Sequence, residues 1–65
     1  MKLIVNGQEQ DIKAASVLEL LDHFVLKPKQ VVVELNKVII KREAFAHQSV
    51  KENDQIEIVT VVGGG

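Results

Sequence analysis

The sequence predicts an α+β domain, a mixed sheet of four or five strands packed on one helix. Three observations predict it. Short aliphatic and β-branched runs recur at Lys2–Val5, Val31–Leu35, Val38–Ile40 and Gln55–Val62. The pair Asn6-Gly7 follows the first run, and it is the strongest two-residue hairpin signal because both residues tolerate positive φ. One stretch alone carries a helical stripe: Val17, Leu20, Leu21 and Phe24 stand at i, i+3, i+4 and i+7. A helix with one apolar face and a sheet with one apolar face bury each other as two layers.

Composition sets the limits. The chain has 65 residues, enough for one small domain. A domain of that size buries only about 60% of the surface its unfolded chain exposes. Apolar residues make up 46%, but there are two Phe and no Tyr or Trp, so the core has to be aliphatic. Without cysteine there is no disulfide, no thiolate metal site and no thiol nucleophile. A net charge of −1 with interspersed signs lacks the basic stripe that nucleic-acid binding requires. No apolar run approaches the ~20 residues of a membrane span. Met1-Lys2 passes directly into a strand pattern with no signal peptide, so a cytoplasmic location is expected.

Taken in order, the first strand ends at Asn6-Gly7 and Gln8–Lys13 forms the return, with Ile12 facing inward. Glu9, Gln10 and Asp11 suit an edge strand that must not attract other chains. Ser16-Val17-Leu18-Glu19 fits a capping box, so the helix starts at Ser16. Pro28 disfavours helical geometry at Lys27, and the helix is expected to stop near Val25 or Leu26. A helix this short is marginal in water and depends on the sheet. Val31–Leu35 is a buried-type strand. Asn36-Lys37 is a second tight turn, leading to the partner strand Val38–Ile40. Within Lys41–His47, a helical turn is expected to tuck Phe45 under the end of the sheet. Asn53-Asp54 turns the chain into the last strand, Gln55–Val62. The first and last strands should lie centrally and run parallel.

That strand runs into Gly63-Gly64-Gly65, which divides the chain into a domain of residues 1–62 and a flexible tail of 63–65. Glycine loses more conformational freedom on ordering than any other residue, so such a tail is not there for stability. Three extended residues reach at most roughly 10 Å. With no side chains, the tail can thread into a narrow slot and present a carboxylate there.

Several segments together resemble the ThiS family of sulfur carriers, in the ubiquitin-like β-grasp superfamily. They are Val32-Val33-Glu34-Leu35-Asn36, Ile39-Ile40-Lys41-Arg42-Glu43 and, above all, Asp54-Gln55-Ile56-Glu57-Ile58-Val59-Thr60-Val61-Val62-Gly63-Gly64-Gly65. The resemblance covers nearly the whole chain. One departure is Asn53, where the family usually has Gly; Asn is the residue that best replaces Gly at a left-handed turn position. The resemblance implies a carrier for thiazole (thiamin) biosynthesis. An activating enzyme, ThiF, uses ATP to adenylate the carboxylate of Gly65. Sulfur drawn from cysteine by a desulfurase displaces AMP, leaving a thiocarboxylate. Thiazole synthase, ThiG, then takes the sulfur. Gly63 and Gly64 keep the tail thin.

The residues agree with the role of a protein cosubstrate rather than an enzyme. His23 and His47 are far apart and lack a nucleophile partner, and both read as surface or helix-end residues. Glu34, Glu43 and Glu57 form no acid/base pair. No Gly-rich loop stands between a strand and a helix, so ATP is a substrate of the partner and no cofactor or metal is expected on this chain. Strand alternation turns Leu3, Val5, Val33, Leu35, Ile56 and Ile58 inward. It turns Ile4, Val32 and Val59 outward as an aliphatic strip for partner docking, rimmed by Lys2, Glu34 and Glu57. Lys41 and Arg42 are a charged pair, open to a partner's carboxylates or simply solvated. A MoaD-like carrier for molybdopterin, a ubiquitin-like modifier and a plain binding module are the alternatives. A thioacid product, an isopeptide, or indifference to loss of Gly64 and Gly65 separates them.

Overall fold

The computed structural model describes residues 1–61; Val62 and the expected tail Gly63–Gly65 lie outside the described residues. Strand β1 (Lys2–Val5) turns at Asn6 and Gly7, with φ 50° and 82°, and returns as β2 (Gln8–Asp11). The return was expected to run to Lys13. It stops two residues sooner, although Ile12 still donates its N–H to the Met1 carbonyl at 2.9 Å and is buried. Past that point the chain leaves the sheet plane to reach the helix.

Helix α1 (Val17–His23) starts as its capping box dictates. The Glu19 amide donates to Ser16 Oγ at 3.2 Å, and the Glu19 carboxylate accepts from the Ala15 amide at 3.0 Å. Val17, Leu20 and Leu21 are fully buried, and Phe24 packs beside them half-buried. The helix ends before the expected Val25 or Leu26. Phe24 caps it, and Val25 takes φ 57°. Val25 N–H then bonds the Asp22 carbonyl at 3.0 Å and Leu26 N–H bonds Leu21 at 2.9 Å, the paired bonds of a Schellman motif. A β-branched residue in the left-handed region is strained by about 1–2 kcal/mol. In return, the chain reverses early enough for Leu26 to fold back onto the core.

A single 3-10 turn at Pro28–Gln30 leads into β3 (Val31–Leu35). Asn36 and Lys37, with φ 50° and 71°, make the second tight turn to β4 (Val38–Ile40). A 3-10 turn at Arg42–Ala44 delivers Phe45 into the core, where its carbonyl accepts from Leu18 N–H at 3.0 Å. Asn53, at φ 70°, takes the left-handed position expected of it, and β5 (Gln55–Thr60) follows.

The strand order is β2-β1-β5-β3-β4. β1 and β5 run parallel, and the other neighbours are antiparallel. β5 is central, with β1 beside it. Leu3, Val5, Val33, Leu35 and Ile56 all face the helix and are buried, and Ile58 is half-buried against them. Among the described residues the largest fully buried side chains are Leu3, Val17, Leu20, Leu21, Val33 and Ile56. Each contributes about 1.5–3 kcal/mol of hydrophobic stabilisation, and no aromatic residue belongs to that set.

Candidate functional site

Three sets of hydrogen bonds hold β5, two near its end and one at its start. Val61 N–H donates to the Gln30 carbonyl at 2.7 Å, extending the β3–β5 ladder past the last strand residue. On the other side, β1 has already ended, and the Asn6 side chain takes over the pairing. Its Oδ1 accepts from Ile58 N–H at 2.8 Å and its Nδ2 donates to the Ile58 carbonyl at 3.3 Å. At the start of β5, Asn36 Oδ1 accepts from Gln55 N–H at 3.0 Å, and its Nδ2 donates to Asp54 Oδ1 at 3.1 Å. The asparagines of the two turns thus supply the left-handed conformation and also clamp the central strand. Their second role follows from where the turns sit in the sheet.

The outer face of the sheet carries the proposed docking residues. Val32 and Val59 stand directly opposite each other, 41% and 60% exposed. Ile4 does not join them. It pairs with Gln55, four residues along β5 from Val59, or about 13 Å at strand spacing. The cross-strand pair Glu34–Glu57 lies between. Two residues outside the expected strip complete it instead. Val61 is on the same face two residues beyond Val59, and Ile39 pairs with Glu34 on β4, 64% exposed. The two-residue turn at Asn36-Lys37 signals Ile39, since it fixes which β4 residues share a face with Val32. Ile4 lines a separate shallow depression with Glu34, Gln55 and Glu57.

The two histidines lie apart. His23, in the last helical turn, is exposed and meets Phe24 edge-to-face at 4.9 Å; His47 is exposed on the far loop. Among the described residues, no three His, Asp or Glu side chains are grouped to hold a metal ion. No helix among them is long and apolar enough to cross a membrane. The Met1 amine bonds Asp11 at 2.7 Å. That hydrogen bond raises the amine above its usual pKa and holds the Asp11 carboxyl below its own.

Comparison with known proteins decides the family. The model of the ThiS family matches residues 3–65. The chain belongs to the ThiS family. The ThiS match takes in all but the first two of the described residues and continues through the three terminal glycines. Sulfur carrier protein ThiS of Bacillus subtilis (strain 168) is 38% identical over 65 residues, covering 97% of this chain and 98% of that protein. The crystal structure of thiamine biosynthesis protein ThiS from Geobacter metallireducens superposes with a TM-score of 0.82 at 39% identity, covering all of both chains. The β-grasp fold follows from that superposition. Thiazole synthase of Paramagnetospirillum magneticum is 36% identical over 66 residues; the match takes in all of this chain but only 20% of that protein's length. The chain therefore spans about a fifth of the thiazole synthases it resembles.

Proposed function

We propose that this chain is the sulfur carrier for thiazole formation in thiamin biosynthesis and acts as a cosubstrate rather than an enzyme. The observation that carries the reading is the family match running unbroken through Gly65. A carboxylate is a poor electrophile. Adenylation by a ThiF-like enzyme gives it a good leaving group, and sulfur from a cysteine desulfurase displaces AMP to leave a thiocarboxylate on Gly65. A ThiG-like synthase then receives the sulfur. ATP belongs to the activating partner, and no cofactor is assigned to this chain. The thiazole synthases that carry a ThiS-like segment within their own length favour ThiG as the acceptor. The carrier works in the cytoplasm.

In this reading Val32 and Val59, with Val61 and Ile39 beside them, seat the partner and direct Gly63 and Gly64 into its active site. An intact mass taken after incubation with ATP, the ThiF-like enzyme and a cysteine-fed sulfur source tests the chemistry. The expected result is a gain of one sulfur for one oxygen, absent from a variant lacking Gly65. An unchanged mass beside an activating enzyme that is active on its own carrier overturns the proposal. Docking is tested separately. Val59→Asp should weaken partner binding about tenfold or more, and Ile4→Asp, at the far end of the face, should weaken it less.

A further inference from the structure

Among the described residues, β4 is an apolar edge of the sheet, flanked by cations and without a neighbouring strand on its outer side. The backbone pairing shows which groups are open. Asn36 N–H bonds the Gln55 carbonyl and Val61 N–H bonds Gln30, so on β3 the even-numbered residues turn their backbone groups to β5. Val33 and Leu35 therefore turn to β4 and bond Ile40 and Val38. The N–H and C=O of Ile39 are left pointing away from the sheet. Around them Val38 is 61% exposed and Ile39 is 64% exposed. Lys37 and Lys41 flank the strand and Arg42 follows it. Neither lysine nor the arginine makes an ion pair among the described residues, where the two pairs present lie at the opposite edge, Met1–Asp11 and Lys2–Glu9.

The charges select the occupant. If a second copy paired with all of Val38–Ile40 in antiparallel register about Ile39, Lys37 of each chain would stand opposite Lys41 of the other. Like charges directly opposite one another are unfavourable in a sheet, and edge lysines are a standard guard against self-pairing. A strand with an apolar centre and a carboxylate at each end meets neither obstacle. It satisfies the Ile39 backbone groups and covers Val38 and Ile39. It also pairs with Lys37 and Lys41 in either chain direction, because the cations stand on both sides. We propose that β4 is a strand-addition site for an extended segment of a partner protein whose apolar middle is flanked by Asp or Glu four residues apart. This site adjoins the Val32–Val59 face, with which it shares Ile39, but it uses the main chain of the β4 edge and does not depend on the sulfur chemistry. It recruits by main-chain pairing, with the side chains giving specificity.

The probe is the synthetic peptide acetyl-Glu-Val-Thr-Val-Glu-amide, with acetyl-Lys-Val-Thr-Val-Lys-amide as its control, titrated into the isotope-labelled full chain and followed by amide NMR shifts. The Glu-flanked peptide should move the Ile39 and Lys41 amides saturably. The control should not, and added salt should weaken the effect. Lys37→Glu and Lys41→Glu should each lower the apparent affinity by about fivefold, on the scale of one cross-strand charge pair. Amide spectra elsewhere in each variant report that it is folded. Equal shifts with both peptides, or shifts confined to β2 or to Val32, Val59 and Val61, overturn the proposal. So does a sedimentation result showing the wild-type chain dimeric with its Ile39 amide protected, because a second copy would then be the occupant.

Discussion

The two edges of the sheet end it in opposite ways. β2 presents Gln8, Glu9, Gln10 and Asp11, four polar residues, two of them tied down by Lys2 and the Met1 amine. β4 presents Val38, Ile39 and Ile40, with two of the three largely exposed and cations on either side. Both must avoid pairing with other copies. β2 achieves this by being polar and locally paired, which leaves nothing for a neighbour to gain. β4 is protected by its shortness and by lysines, and those exclude only strands of like charge. A polar edge gives an incoming strand little apolar surface to cover, whereas an apolar edge guarded by one sign of charge selects among strands by their charge.

The comparison can be broken first at the strand that joins both sides. Ile56 is fully buried on β5, and Ile56→Ala should cost about 2–5 kcal/mol. That is a large share of the total for a domain this small, so both edges should lose amide protection together in a urea titration. The next effect separates the sides. Asn6→Gly and Asn36→Gly keep the left-handed turns but remove the clamps on β5, at about 1–3 kcal/mol each. Asn6→Gly should raise amide exchange at Ile58, and Asn36→Gly at Gln55; exchange rising equally at both sites would show that the clamps do not act locally. Smaller still is the association that Lys41→Glu should permit. In a β4–β4 pair, each Lys37 would then face a carboxylate. The single variant should self-associate at high protein concentration in sedimentation, while wild type and a variant reversed at both lysines stay monomeric. The smallest effect lies at β2. Asp11 has a depressed pKa when folded, so its pairing stabilises the fold above the ordinary carboxylate value of 3.8 and is lost as pH falls through the depressed one. The Met1 amine is raised, so its contribution is complete below the ordinary 8.0 and is lost as pH rises through the raised value. Asp11→Asn should flatten melting temperature against pH at both ends of that window and change little at the β4 edge.

Most of the fold was legible because local chemistry and tertiary packing agree. Asn6-Gly7 and Asn36-Lys37 admit tight turns whatever surrounds them, Ser16 and Glu19 cap a helix within four residues, and alternation sorts Leu3 from Ile4 and Val33 from Val32. The candidate site was only partly legible. Alternation gives the face on which Ile4, Val32 and Val59 lie. It does not give the distance between strands' residues, so the separation of Ile4 from the valine pair and the arrival of Ile39 beside it depended on register. The helix end shows the same limit. Pro28 bounds it from the sequence, but the strained reversal at Val25 is set by the need to return Leu26 to the core. By itself, then, the sequence determined the elements, their inward faces and the glycine ending, each encoded within a few residues, and the family, carried by segments along nearly the whole chain. Tertiary structure alone decided which outward residues are neighbours, that both turn asparagines grip β5, and that β4 ends the sheet with a backbone pair unmet. Those depend on contacts between residues tens of positions apart, and only packing and hydrogen-bond register determine such contacts.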